Sequence, residues 1–186
     1  MLRTLPQTQS ASLTQRLLGI GLFTLITVVA ARLAIPMDPV PFTLQPLAVL
    51  MAGMILGARD GALSQLAYVA LIAIGLPIDA NMRGQAAFFG PTGGYLVGFV
   101  AAAFVAGWLV EHGANRVWQR WLAGVAGIAV IYAVGVPWLA LARAMPLDLA
   151  ISTGALPFLL PDMAKALIAA AMTEGGRALL LRNRGL

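Results

Sequence analysis

Six apolar runs divide the chain, covering residues 17–35, 43–57, 62–76, 94–110, 121–142 and 163–181. The hydrocarbon core of a bilayer takes about 20 apolar residues of helix, within a range of roughly 17–25. The pattern therefore predicts an all-α integral membrane protein: one bundle of six transmembrane helices. The second and third runs are short for a lone span, which predicts tilt or burial against protein instead of lipid. The breaks carry proline and glycine, as helix ends do. Ile35-Pro36-Met37-Asp38-Pro39-Val40-Pro41 is too stiff for helix, and Gly75-Leu76-Pro77 ends the third run. Gly90-Pro91-Thr92-Gly93-Gly94 opens the fourth, and Leu156-Pro157-Phe158-Leu159-Leu160-Pro161 precedes the sixth. The polar triplet Arg59-Asp60-Gly61 reads as the break between the second and third helices. Residues 1–15, rich in Thr, Gln and Ser, read as a flexible cytoplasmic tail, and residues 16–186 as the membrane domain. A cleaved signal peptide is the competing reading of the first run, but residues 17–35 are longer than an ordinary signal core.

Composition points the same way. The chain is 60% hydrophobic and only 10% charged, with a mean hydropathy of +0.88. Soluble domains carry about 45–50% apolar and about 25% charged residues. A water-facing surface could not be built from this inventory, so the surface faces lipid. The net charge of +5 would suggest nucleic acid in a soluble protein, but here most of the charges fall in the gaps between spans. With the N-terminus inside, the inner set is Arg3, Arg16, Arg59, Arg116, Arg120, Arg177, Arg182 and Arg184, with Asp60, Glu111 and Glu174. The outer set is Arg32, Arg83, Arg143 and Lys165, balanced by Asp38, Asp79, Asp148 and Asp162. The excess of arginine inside places both termini in the cytoplasm, and an even number of spans satisfies that. Cysteine is absent and His112 is the single histidine, which excludes disulfides, thiolate metal sites and multi-histidine metal sites. Gly53-x-x-x-Gly57 and Gly94-x-x-x-Gly98 read as places where helices pack closely.

The candidate chemistry lies on the outer side. The connections 36–41, 77–92 and 145–161 are long, apolar and rich in proline or glycine. Long loops without periodicity are functional or disordered, and apolar content argues against disorder, so these loops are expected to fold over a pocket. The sharpest signal is Pro161-Asp162-Met163-Ala164-Lys165. Asp162 and Lys165 stand three apart and share a helix face; ionisable groups at membrane depth are costly and mark functional sites. The competing reading is an N-cap aspartate neutralised by a structural lysine. A carboxylate accepts hydrogen bonds and an ammonium donates them, so the pair matches a planar group with N–H donors beside a carbonyl, such as a cyclic urea. A second polar cluster, Asp79, Asn81, Arg83 and Gln85, offers Arg83 and Asn81 to a ligand carboxylate, or is a solvated loop. Gln45, after Phe42, Thr43 and Leu44, needs a partner in its apolar setting, either a ligand or a neighbouring helix. Phe42, Phe88, Phe89, Tyr95, Trp138 and Phe158 are the aromatic candidates for an apolar slot. Tyr95 and Trp138 lead them because each follows a Gly or Pro break, although aromatics also gather at membrane interfaces without any ligand.

Enzyme signatures are missing. Ala62-Leu63-Ser64-Gln65 is no nucleophile elbow, His112 stands in no catalytic constellation, and the phosphate-binding pattern G-x-x-x-x-G-K-[ST] is absent. An ATPase driving uphill transport would be another chain. A binding subunit for transport is thus favoured over two alternatives. One is a membrane-embedded enzyme, for which Asp162 and Lys165 are the only acid–base candidates. The other is a channel or structural bundle.

The ordered motifs Val40-Pro41-Phe42-Thr43-Leu44-Gln45, Gly75-Leu76-Pro77, Gly90-Pro91-Thr92-Gly93-Gly94-Tyr95-Leu96, Leu156-Pro157-Phe158 and Asp162-Met163-Ala164-Lys165 resemble the BioY family from about residue 17 to the end of the sixth run. The resemblance implies a substrate-binding S component of an energy-coupling factor (ECF) transporter in a bacterial or archaeal cytoplasmic membrane. It implies high-affinity capture of biotin near the outer face, no cofactor, and partnership with a transmembrane coupling protein and two cytoplasmic ATPase subunits. It further implies that Asp162 and Lys165 meet the ureido ring, and that the valerate carboxylate meets the loop after the third helix, where Asn81 and Arg83 are the candidates; Thr43, Gln45, Phe89, Tyr95 and Trp138 complete the candidate ligand-binding set on the residue reading. Residues 36–41 would form a lid, and the whole subunit would reorient while docked. Members of the family dock through small residues four apart in the first helix; here Ala30-x-x-x-Ala34 has that spacing but falls toward the outer end.

Overall fold

A computed structural model describes residues 12–114 and 116–183, with side chains as far as Glu174. Seven α-helices make up the described chain: α1 (Leu13–Arg32), α2 (Gln45–Leu56), α3 (Ala58–Ala73), α4 (Gly93–Glu111), α5 (Val117–Ala142), α6 (Leu147–Gly154) and α7 (Leu159–Asn183). Two short strands, β1 (Ala34–Ile35) and β2 (Phe42–Thr43), pair antiparallel with Ala34 opposite Thr43 and Ile35 opposite Phe42. Residues 1–11, expected as a tail, lie outside the described residues, as do Arg3, Arg184 and the side chains of Arg177 and Arg182.

The first helix starts earlier than its apolar run. Ser12 caps it: its Oγ accepts from the Gln15 amide at 3.3 Å, and Gln15 Oε1 accepts from the Ser12 amide at 3.0 Å. This reciprocal pair satisfies two amides at the helix start, so Leu13, Thr14 and Gln15 join α1 and not the tail. The helix is inside-out by the standards of soluble proteins. Leu18, Leu22, Leu25 and Val29 are exposed, while Thr24 and Thr27 are buried against α3. Thr24 donates to the Ser64 carbonyl at 2.9 Å, and Gln65 donates to Thr27 at 3.2 Å. Lipid solvates the leucines; only another helix can satisfy the hydroxyls.

The break between α2 and α3 is not at Arg59-Asp60-Gly61. It falls at Gly57, whose φ of +89° suits glycine and interrupts the helix. Asp60 and Gly61 instead lie in the first turn of α3. There Asp60 receives Arg16 in a two-pronged bond, 2.8 and 2.7 Å, and Glu111 accepts the Ala58 amide at 2.9 Å. The short α2 is buried in protein. It packs against α1, α3, α4 and α7, with Val49, Leu50, Ala52 and Met54 fully covered. The glycine spacings serve this packing: a Cβ on Gly53 would lie 2.2 Å from the Ala103 carbonyl of α4, and one on Gly94 would lie 2.3 Å from the Trp138 Cβ of α5.

Four stretches are long and apolar enough to cross a membrane: α1, α4, α5 and the segment Leu147–Glu174 that holds α6 and most of the described part of α7. The expected loop 145–161 is not irregular. It contains α6 and a 3-10 turn (Leu156–Phe158), and it buries Ala150, Gly154, Ala155 and Phe158. The connection 77–92 likewise contains a 3-10 helix, Gly84–Phe89. Ion pairs sort the molecule into two ends. Arg16–Asp60 and Arg120–Glu174 join members of the inner charge set, while Arg143–Asp38 and Lys165–Asp162 join members of the outer set.

Candidate functional site

At the end bearing the second set, a cavity of about 570 Å³, open mouth included, lies beneath the β1–β2 hairpin. The hairpin contributes Val40, Pro41 and Thr43, α2 contributes Gln45 and Pro46, and α4 contributes Tyr95, Leu96 and Phe99. Ile131 and Tyr132 come from α5, Phe158 from the 3-10 turn, and Asp162 and Lys165 from α7.

Helix α7 begins at Leu159, so Asp162 sits inside its first turn rather than at its cap. One turn later stands Lys165. Both are buried, at 3% and 5% exposure, so neither charge is relieved by solvent. Lys165 Nζ donates to Asp162 Oδ1 at 2.7 Å and to the Thr43 carbonyl at 2.7 Å, and it lies 3.9 Å from the centre of the Phe42 ring. Asp162 Oδ2 accepts the Tyr132 hydroxyl at 2.6 Å. Two buried charges thus meet with good geometry, extra hydrogen bonds and an aromatic face, which is what such a pair requires to survive desolvation.

Gln45 spans the cavity wall. Its amide nitrogen donates to the Tyr68 hydroxyl at 2.9 Å, and that hydroxyl donates to the Ile78 carbonyl at 3.2 Å. The partner it needed is therefore the neighbouring helix, while the residue still lines the cavity. Tyr95 lays its ring along the wall and donates to the Gly154 carbonyl at 2.9 Å, joining α4 to the end of α6.

Thr43, Gln45, Tyr95, Asp162 and Lys165 are brought together, and the other four candidates lie outside the lining. Phe89 is 81% exposed because its 3-10 helix turns it outward. Trp138 points its indole N–H at the Gly90 carbonyl, 3.0 Å away, and packs on Gly94, so it clamps the Gly-Pro-Thr-Gly-Gly segment. Asn81 and Arg83 are exposed beside Ala80, which does line the cavity. Their neighbour Asp79 is buried and spends its carboxylate on the amides of Asn81, at 3.1 Å, and Gly84, at 2.7 Å. Sequence reasoning missed Tyr132 and Tyr68. A hydroxyl in an otherwise apolar run was the available signal, but helical periodicity did not say what it faced.

The BioY family model matches residues 5–182. Over 157 residues the chain is 44% identical to the "Biotin transporter BioY" of Thermotoga maritima, covering 84% of this chain and 92% of that one. It is 40% identical over 156 residues to the "Probable biotin transporter BioY" of Pyrococcus horikoshii, covering 83% and 91%. A solved structure, the "S-component for biotin from an ECF-type ABC transporter", superposes with a TM-score of 0.81 at 27% identity over 89% of this chain and 92% of that chain. With the fold, the motifs and the buried Asp–Lys pair in agreement, the chain belongs to the BioY family.

Proposed function

We propose that this protein captures biotin at the outer face of a prokaryotic cytoplasmic membrane, as the S component of an ECF-type transporter. The observation that carries this reading is the buried Asp162–Lys165 pair in the wall of a mostly apolar cavity. A cyclic urea offers a ring N–H to the carboxylate and a carbonyl oxygen to the ammonium, while the thiophane ring and methylene tail suit Tyr95, Leu96, Phe99 and Phe158. The tail carboxylate keeps its hydration at the mouth, where Asn81 and Arg83 stand exposed beside Ala80. Of the three Lys165 N–H donors, two go to Asp162 and Thr43, which leaves one for a carbonyl. All six apolar runs count as spans in this reading, with α2 and α3 crossing inside the bundle and both termini in the cytoplasm. A transmembrane coupling protein and two cytoplasmic ATPases complete the transporter, since the chain carries no phosphate-binding loop.

The test is calorimetry with purified protein in detergent. Tight 1:1 binding of biotin by the parent is expected, with Asp162→Asn and Lys165→Ala each weakening it at least 100-fold, because each leaves the other buried charge uncompensated and removes one of the groups that meet the ureido ring. A folded parent that takes up no biotin would end the assignment.

A further inference from the structure

Helix α5 supplies a polar group that its sequence conceals. Tyr132 stands 30 residues before Asp162, yet its hydroxyl donates to Oδ2 at 2.6 Å while Lys165 holds Oδ1 at 2.7 Å. Donors on two different helices therefore grip the two oxygens of one carboxylate. The terminal torsion of an aspartate is otherwise broad and roughly two-fold, so a carboxylate held by Lys165 alone would swing about that single contact. Gripped at both oxygens, its plane is set by the α5–α7 packing. Two of its four lone-pair sites are used by these donors, and the remaining ones point along fixed directions. Tyr132 itself lines the cavity beside Asp162, so a ligand meets the carboxylate in the orientation the tyrosine imposes.

We propose that Tyr132 is a positioning residue that aims the Asp162 carboxylate at a ring N–H of the ligand, and so sets the preference for an N–H-bearing cyclic urea over rings lacking that donor. This rests on the biotin reading above. The other charged or titratable groups around the pair are Lys165 on α7, Tyr95 on α4 and Asp79 in the connection before α4. Lys165 neutralises the carboxylate. Tyr95 is committed to the Gly154 carbonyl, and Asp79 to its own turn. Tyr132 is thus the donor on α5 that orients Asp162.

The experiment compares parent and Tyr132→Phe, with thermal unfolding as the check on folding. Binding of biotin and of two analogues, each methylated at one ureido nitrogen, is measured by calorimetry. Loss of a hydrogen bond to a charged group corresponds to about a 10–100-fold weakening, so biotin binding should fall at least about tenfold. The analogue lacking the N–H that faces Asp162 should bind parent and variant alike. A purely structural role would weaken all three ligands equally, and that result, or unchanged biotin binding, would overturn the proposal. A ligand-free readout stands beside it. The Asp162 carboxylate stretch, isolated as the infrared difference between parent and Asp162→Asn, should shift in Tyr132→Phe, and an unmoved band means the contact does not form. Failure of the parent to bind biotin sinks the functional reading and this one together. Binding by the parent with unchanged Tyr132→Phe sinks this one alone.

Discussion

Asp162 and Lys165 were legible as residues because charge in an apolar setting demands an explanation at any level of description. Tyr132 was not, since a tyrosine within a hydrophobic helix is ordinary until the facing helix is known. Gln45 fell between: its need for a partner was plain, but whether Tyr68 or a ligand supplied it depended on packing. The pair itself makes a stability prediction. Removing one member of a buried pair costs about 3–5 kcal/mol, whereas replacing both by apolar residues is often neutral. Lys165→Ala should therefore lower the thermal midpoint in detergent markedly, while Asp162→Leu with Lys165→Met should restore most of it without restoring biotin binding. A double variant as unstable as the single one would mean that the pair supports the fold beyond its charge balance. At the rim, Arg83 is exposed, so its attraction for a carboxylate is screened. Arg83→Ala should weaken biotin by about three- to tenfold, with a salt dependence that the parent has and the variant lacks. A loss as large as that of Asp162→Asn would place the carboxylate deep in the cavity.

The proline-rich segment 36–41 was recognised as non-helical, and the structure makes it the turn of the β1–β2 hairpin over the cavity. What holds it there was not legible. Lys165 bonds the Thr43 carbonyl from below, and Arg143, just past α5, meets Asp38 at 2.5 Å from the side. Residues 38 and 143 share no pattern in sequence, so only tertiary structure joins them. The outer latch is exposed and worth about 0–1 kcal/mol. Arg143→Ala should raise the biotin dissociation rate up to about fivefold in stopped-flow measurements and leave the association rate nearly unchanged; an altered association rate with unaltered dissociation would count against the expectation that the hairpin acts as a lid. Helix α6 is not legible because eight residues that follow a proline and end on a glycine carry too few turns for a periodic signal. The α2–α3 break differs from the sequence reading for a physical reason: polarity marks Arg59-Asp60-Gly61, but backbone geometry puts the break at Gly57, Arg16 pairs with the buried Asp60, and Glu111 accepts the Ala58 amide at the start of α3.

The molecule as a whole is a multi-pass membrane protein whose charge distribution sets its direction. Every ion pair among the described residues joins partners from one predicted side, so the two ends are distinct; which one faces the cytoplasm follows from the arginine excess. The native chain has no cysteine, so single reporters test this directly. In intact cells a membrane-impermeant maleimide should label Asp148→Cys, exposed in the first turn of α6, and should reach Arg116→Cys only after permeabilisation. The reverse pattern would invert the protein and place the cavity inside.

By itself the sequence determined the class of solvent, the approximate positions of the helices, the family and the charged pair that lines the cavity. Each of these is a local or additive property: hydropathy summed over a window, charge counted by loop, or two residues one helical turn apart. Tertiary structure alone decided which candidates share a cavity, gathering Thr43, Gln45, Tyr95, Asp162 and Lys165 there while leaving Asn81, Arg83, Phe89 and Trp138 outside. It also decided that Tyr132 grips Asp162 and that Arg143 holds Asp38. Those contacts depend on how far each helix is rotated about its axis and where it starts. A span hydrophobic all round carries no amphipathic stripe to report its rotation, so that choice is made only when the helices pack.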